Sequence, residues 1–293
     1  MLKVALLGHY KNYEKTLIPS SLYSIERYEL ASPLECDILI TGPFLNRSKF
    51  EKIKFKLRNK KAIILFHSSE NTRMKKNNAN FFITSDLGIN QDNHIRIPHW
   101  YNIIDWSHDG VKNTLDNDRF GRMITIDELM RKRSFQDASQ RKKRAAAICA
   151  HLNQPRQSLF ENLQKVLEVD GYGPAFEKDQ NDHNAGVKSK ISILQDYLFN
   201  FCPENSMHPG YYTEKPVEAW AAGCIPIYWA DPMFEMDFNK KSIINLYDYY
   251  NRDLKLILDN EEWLEMTYEE PLVLKRPSLE EIKFFLRKIL DKI

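Results

Sequence analysis

The stretch FCPENSMHPGYYTEKPVEAWAAGCIPIYWADP, Phe201 to Pro232, decides how this chain is read. One apolar run, Tyr197 to Cys202, ends in it, and a second, Ile225 to Trp229, lies near its end; a polar loop and a segment rich in small residues lie between. The pattern predicts strand, loop, helix, strand. Thr213 is placed as the N-cap, Glu214, Lys215 and Pro216 fill the first turn, where proline is tolerated, and Gly223 ends the helix. The loop leaves the C-terminal end of a strand, which is where open α/β sheets bind ligands. A cation at Lys215 opposes the helix dipole unless an anion sits with it. Backbone N–H groups, dipole and ammonium together suit a phosphate or diphosphate. On spacing alone a solvated lysine is the simpler reading; Glu204, Asn205 and Glu214, apt partners for sugar hydroxyls, tilt the balance toward a site.

Outward from this stretch, short apolar runs recur. KVALLG (Lys3 to Gly8), DILITG (Asp37 to Gly42), KAIILFH (Lys61 to His67) and FFITS (Phe81 to Ser85) suit strands buried on both faces of a parallel sheet. Between two of them, Ser48 to Lys60 carries Phe50, Ile53 and Leu57 at helical spacing, completing a βαβ-like unit. Thr125 to Arg144 reads as one helix, acidic early and basic late. The pattern then restarts with Ala145 to His151, a helix over Gln154 to Glu168, Tyr197 to Cys202, Ile225 to Trp229 and Ser242 to Leu246. The expectation is an α/β chain of two Rossmann-like domains facing across a cleft, over residues 1–125 and 126–276, with a helix over 277–293 packing back. In that tail Ser278 and Glu281 have capping-box spacing, and Ile282, Phe285, Leu286 and Ile289 form one stripe.

Bulk properties narrow the partners. With 293 residues, two cores are expected. The 42 basic and 40 acidic residues nearly cancel, so no global field recruits nucleic acid, and any anion site must be local. Cys36, Cys149, Cys202 and Cys224 lie in or beside apolar runs without the spacing of a disulfide framework or zinc knuckle, as expected of buried thiols in a reducing, cytoplasmic setting. No run is long enough for a membrane span. The basic run Arg131 to Arg144 and the C-terminal helix are candidate peripheral contacts with the inner face of a membrane; a solvated helix face and docking on the protein's own core are the simpler readings.

The segment ENSMHPGYYTEKPVEAWAAGCIPIYW resembles the signature of the α1,3/4-fucosyltransferases: E-N-S, a spacer, Y-x-T-E-K, a small-residue helix and a P-I/V-x strand. AAAICAHLNQPRQSLFENL resembles that family's strand, short loop and arginine, VLEVDGYGPAF its Y-G segment, and KSKISILQDYLFNFCPEN its lysine ahead of the signature. KAIILFHSSEN and ANFFITSDLGINQDNHIRIPHWY resemble the N-terminal stretch of bacterial members, with a Glu-Asn pair and an R-x-P segment. Pro203 stands where an aromatic is usual and Leu198 where a basic residue is usual.

This resemblance implies a GT-B-like fold and an inverting transfer of L-fucose from GDP-β-L-fucose to a hydroxyl of an oligosaccharide or lipid-linked glycan, forming an α1,3 linkage without metal or cofactor. It implies donor contacts at Arg156, Lys190, Asn205, Tyr211, Glu214 and Lys215, and a base at Glu70; Asn71 is read either as orienting that base or as a turn residue. A same-fold transferase using another GDP-sugar, or a sugar-nucleotide-binding protein without turnover, are the alternatives. For Tyr211, packing of the loop is the other reading. Asp116 to Asp118, a D-x-D tripeptide, and His94, His99 and His108 are set aside as metal ligands, the histidines for lack of helix or turn spacing.

Overall fold

The computed structural model describes residues 1–68, 70–74, 78–113, 120–138, 140–176, 189–249 and 254–293. Packing divides the chain into two compact units, Met1–Leu115 with Pro277–Ile293, and Asp116–Arg276.

The first unit runs β1 (Leu2–Leu7), α1 (Leu17–Ile25), β2 (Tyr28–Leu30), β3 (Ile38–Thr41), α2 (Lys49–Leu57), β4 (Ile63–His67), β5 (Phe81–Thr84) and β6 (His94–Arg96). All six strands are parallel, in the order β2-β1-β3-β4-β5-β6. β3 and β5 are buried at every residue, as expected where helices cover both faces of a parallel sheet. The edge strands β2 and β6 escaped sequence reading because each has three residues and carries charge. In α2, Ser48 Oγ accepts the Glu51 N–H at 3.3 Å. Phe50, Ile53 and Leu57 do not face the core. They are 65, 54 and 62% exposed, and Phe55 packs inward beside Leu45, Leu7 and Leu39.

The second unit runs α3 (Ile126–Met130), β7 (Lys142–Ile148), α4 (Arg156–Leu163), β8 (Val169–Tyr172), α5 (Lys190–Leu194), β9 (Tyr197–Phe201), α6 (Lys215–Ala221), β10 (Ile225–Tyr228), β11 (Ile244–Asn245), α7 (Leu254–Leu258) and α8 (Glu261–Glu269). Its five strands are parallel, in the order β11-β10-β9-β7-β8. Ala145, Ala147, Phe199, Phe201, Ile225 and Ile227 from the three central strands form one buried cluster with Leu163 of α4. All four cysteines are buried and free. After α8 the chain returns to the first unit as α9 (Glu280–Leu290), burying Ile282, Phe285, Leu286 and Ile289, with the Phe285 ring edge-on to Phe81 at 5.8 Å. The expected capping box does not form: the cap position is Leu279, without a side-chain cap, and Ser278 Oγ accepts the Glu280 N–H at 3.1 Å in a turn just ahead of the helix.

Thr125 to Arg144 is not one helix. α3 stops at Met130, a single 3₁₀ turn covers Phe135–Ala138, and β7 begins at Lys142. Tertiary contacts override helix propensity here. Arg133 lies over the rings of Trp220 at 4.3 Å and Tyr268 at 3.9 Å, and donates to the carbonyls of Tyr268, Trp220 and Cys224 at 3.0, 2.8 and 3.1 Å. Burial pulls its pKa down to about 10, leaving it cationic at neutral pH. Arg141 donates to the Tyr197 carbonyl at 3.2 Å, and Arg144 forms a fork with Asp170 at 2.8 and 2.9 Å. These three arginines are engaged within the unit, while Arg131, Lys132, Lys142 and Lys143 of the basic run are exposed. Among the described residues no helix is long and apolar enough to cross a membrane.

Replacing Arg133 with Lys keeps the charge but loses the planar fork and its stacking. The expected cost is about 2 kcal/mol in urea-induced unfolding. Unchanged stability would show that the stacked guanidinium is not what holds this segment.

Candidate functional site

In the second sheet β7 connects to β8 on one side, while β9 leads to β10 and β11 on the other. The strand order therefore reverses between β7 and β9, and ligands of open α/β sheets bind at the carboxyl edge of such a switch point. Cys149 leaves β7 there, and the 202–214 loop leaves β9.

Glu204 organises this edge. It is fully buried, and Oε1 accepts from the Thr213 N–H and Thr213 hydroxyl, both at 2.8 Å, and from the Tyr228 hydroxyl at 2.6 Å. Oε2 accepts from Lys215 Nζ at 2.8 Å. A buried carboxylate is tolerable only when matched in charge and in hydrogen bonds, and this one is matched in both. It ties the loop to the start of α6 and to β10. Two expectations are corrected here. Glu204 is part of the protein's own framework rather than a ligand for sugar hydroxyls, and Thr213 is not the N-cap. Its hydroxyl is held by Glu204 and Lys215, so the helix starts one residue later with Glu214 at the cap position and no side-chain cap.

Lys215 opens α6, where its charge opposes the dipole, and the adjacent Glu204 carboxylate offsets that repulsion. Lys190, first residue of α5, repeats the arrangement. Its Nζ lies 2.5 Å from Oε2 of Glu218, which is 2% exposed on α6. Arg156, first residue of α4, differs. It is only 5% exposed, and its Nε has no hydrogen-bond partner among the described residues. All three cations converge electrostatically on Cys149. Burial raises that thiol's pKa, while Arg156, Lys215 and Lys190 each pull it back. Arg156, Lys190 and Lys215, each the first residue of its helix, thus all act on the Cys149 thiol.

The other expected donor residues occupy the same loop. Asn205 is exposed, Tyr211 is 3% exposed with its N–H on the His208 carbonyl at 3.0 Å, and Glu214 is 6% exposed at the start of α6. The Tyr211 ring is packed into the domain, the simpler of its two readings. Sequence reading missed the internal roles of Glu218 and Tyr228. The i, i+4 spacing of Glu214 and Glu218 was the available signal for the first.

In the first unit, Glu70 follows β4. Its N–H donates to Ser68 Oγ at 3.1 Å, and its carbonyl accepts from the Thr72 N–H at 2.7 Å, a tight local turn. Asn71 Oδ1 accepts from Arg73, whose guanidinium also reaches Asp86 at 2.5 Å. At the end of β4, buried His67 meets the Tyr13 hydroxyl at 2.5 Å, and the His9 ring stacks on Tyr13 at 3.5 Å. Burial first, then His99, lowers the His67 pKa to about 3, and burial with His67 lowers that of His9. Aromatic and imidazole groups at this edge are therefore neutral. His94 is structural, bonded to Thr84 Oγ1 at 2.9 Å. Asp116 to Asp118 lie outside the described residues, and among the described residues no three His, Cys, Asp or Glu side chains cluster as metal ligands.

The chain is similar in sequence and in fold to known proteins. Residues 138–264, most of the second unit, match the family model described as glycosyltransferase family 10 (fucosyltransferase), C-terminal part. The chain is 29% identical over 286 residues to the alpha-(1,3)-fucosyltransferase FucT of Helicobacter pylori, covering 91% of this chain and 58% of that protein. The human 4-galactosyl-N-acetylglucosaminide 3-alpha-L-fucosyltransferase 9 is 34% identical over 96 residues, 32% of this chain and 25% of that one. The chain thus spans little more than half the length of the first relative, and a quarter of the second. A crystal structure of alpha1,3-fucosyltransferase with GDP-fucose superposes with a TM-score of 0.68 at 22% identity, over 99% of this chain and 90% of that one. This likeness shows the GT-B fold, with its two parallel α/β domains.

Two outcomes follow from the geometry. Glu204→Gln leaves Lys215 without its counter-charge, and the expected loss is about 3 kcal/mol in urea unfolding. A change under about 0.5 kcal/mol, normal for a surface residue, would contradict the hub role. Separately, the unfolded chain protonates His67 near 6.5 while the folded chain resists until about 3. The unfolded state therefore binds the extra proton, and stability falls as pH drops through that window, by up to about 1.4 kcal/mol per unit. Unfolding midpoints of His67→Gln should fall less steeply with acid than those of the parent protein; parallel profiles would contradict the buried neutral imidazole.

Proposed function

With a glycosyltransferase family 10 (fucosyltransferase) domain as premise, we propose that the chain transfers L-fucose from GDP-β-L-fucose to a hydroxyl of a glycan acceptor, forming an α1,3 linkage with inversion. The observation that carries this reading is Arg156, a buried guanidinium with an unsatisfied Nε beside two lysines at a topological switch point. An unpaired buried cation is costly, so an anion belongs beside it. A diphosphate fits beside the Arg156 guanidinium, with Lys190 and Lys215 held in place by Glu218 and Glu204 as further donors.

Displacement at the anomeric carbon passes through an oxocarbenium-like transition state. It needs a base on the acceptor side and stabilisation of the departing diphosphate. Glu70 takes the acceptor proton as the acceptor oxygen bonds to the anomeric carbon and the carbon–oxygen bond to the diphosphate breaks. Arg156, Lys190 and Lys215 receive the negative charge that leaves with GDP, without metal or cofactor. Glu70 stands just past the end of β4 in a turn fixed by Ser68. Asn205 and Glu214 engage donor hydroxyls, and Tyr211 lines the loop beneath them. Four buried free thiols support a cytoplasmic setting.

Release of GDP from GDP-fucose, followed with and without a panel of oligosaccharide acceptors, tests the reaction; donor binding without acceptor-dependent release would leave only a sugar-nucleotide-binding protein. Arg156→Ala should weaken GDP binding at least about thirtyfold in calorimetry, and unchanged affinity would remove the anion site. Glu70→Gln should bind GDP normally and lose turnover, because only a carboxylate accepts the proton. Retained kcat would assign the base elsewhere.

A further inference from the structure

We propose that α2 is a membrane-docking helix that lies on an anionic lipid surface. The proposal goes beyond the transferase reading and does not depend on it.

The sequence places Phe50, Ile53 and Leu57 on one stripe of this crossover helix, and the structure turns that stripe to solvent. Phe50, Ile53 and Leu57 are all more than half exposed, and no residue of α2 is buried. At about 100° per residue these three side chains share an arc of roughly 60°. Lys49 and Lys56 border the arc on one side and Lys54 on the other. The inward face is made by Phe55, on the core, and by Glu51, whose Oε1 accepts the Gly8 N–H at 3.1 Å. The one acidic side chain of the segment is thus turned inward.

Eight basic residues lie between positions 47 and 61: Arg47, Lys49, Lys52, Lys54, Lys56, Arg58, Lys60 and Lys61. The same span holds one acidic residue, while the whole chain carries a net charge of only +2. Among the described residues no carboxylate pairs with any of these cations. Arg58 and Lys60 reach backbone carbonyls of their own helix, and Lys54 lies 4.4 Å above the Phe50 ring. Three large apolar side chains bordered by long basic stems make up the pattern of an interfacial helix, with the apolar arc in the acyl boundary and the ammonium groups at the headgroups.

Charge selects the occupant. A second copy of this chain would bring two such basic faces together and repel. A zwitterionic or purely apolar surface would leave the cations uncompensated. An anionic bilayer meets both requirements, since each Lys or Arg near it adds attraction and the stripe finds hydrocarbon. Neither of the other candidate contacts offers this. The stripe of α9 is spent on the first unit's core, and Arg133, Arg141 and Arg144 are engaged inside the second unit.

Co-sedimentation of the full chain with phosphatidylglycerol/phosphatidylcholine vesicles, against phosphatidylcholine alone, tests the proposal. Binding is expected only to the anionic vesicles and should weaken with salt. Phe50→Ser/Ile53→Ser/Leu57→Ser and Lys49→Glu/Lys54→Glu/Lys56→Glu should each lower it by more than about tenfold. Both variants should keep the parent's thermal midpoint and GDP affinity, since the replaced side chains are exposed. The tryptophan introduced by Ile53→Trp should shift its emission to the blue on vesicle addition. The proposal is overturned if the chain ignores both vesicle types, if either triple variant binds as well as the parent, if the emission of the introduced tryptophan does not move, or if the serine variant instead abolishes a concentration-dependent dimer.

Discussion

The Glu204 carboxylate is fully buried and negatively charged, and the carboxyl edge of the second sheet is built to keep it so. It takes donors from the loop after β9, from the first residue of α6 and from β10. This fixes where Lys215 can put its ammonium, at a helix start that would otherwise repel it. Glu218 does the same for Lys190 from the middle of α6. Two lysines are thus held by internal counter-charges, while Arg156 is buried among them with an unsatisfied nitrogen. The proposed anion site would thus be preorganised, its cations placed before any ligand arrives.

The two units use one topology for different chemistry. Both sheets are parallel, so both gather their loops at the carboxyl edge. In the first unit that edge holds imidazoles and a phenol kept neutral by burial, close to a turn that presents Glu70. Gly42 is required there, because a Cβ would run into the Gly8 carbonyl oxygen. In the second unit the edge holds cations on helix starts. The first edge thus sets uncharged rings and one paired Arg73–Asp86 couple around the Glu70 turn, while at the second edge Lys190 and Lys215 are paired with glutamates and Arg156 is not hydrogen-bonded at Nε among the described residues.

Much of the fold was legible because buried parallel strands are near-continuous apolar runs, and ILIT, FFIT and IPIY are wholly buried as their composition requires. β2 and β6 were not legible, since three-residue strands at a sheet edge carry no periodic signal. The helix expected over Thr125 to Arg144 failed for a different reason. Its charge order favoured a helix, but Arg133 gains two aromatic faces and three carbonyls by leaving it. The loop after β9 was recognisable from its residues, whereas which of its acids is internal depended on Tyr228 and Thr213 arriving from either side.

The sequence by itself determined the class of fold, the positions of the central strands, the loop that gathers a site and the helix stop at Gly223, because these depend on local composition and backbone freedom. Only the tertiary structure decided that Glu204 is framework, that Arg156 is buried with an unsatisfied nitrogen, and that the Phe50, Ile53, Leu57 stripe faces outward. A helical period shows that a stripe exists but not which way it points. Direction is set by what packs on the other side, and there Phe55 and the Glu51 contact with the Gly8 N–H occupy the inward face.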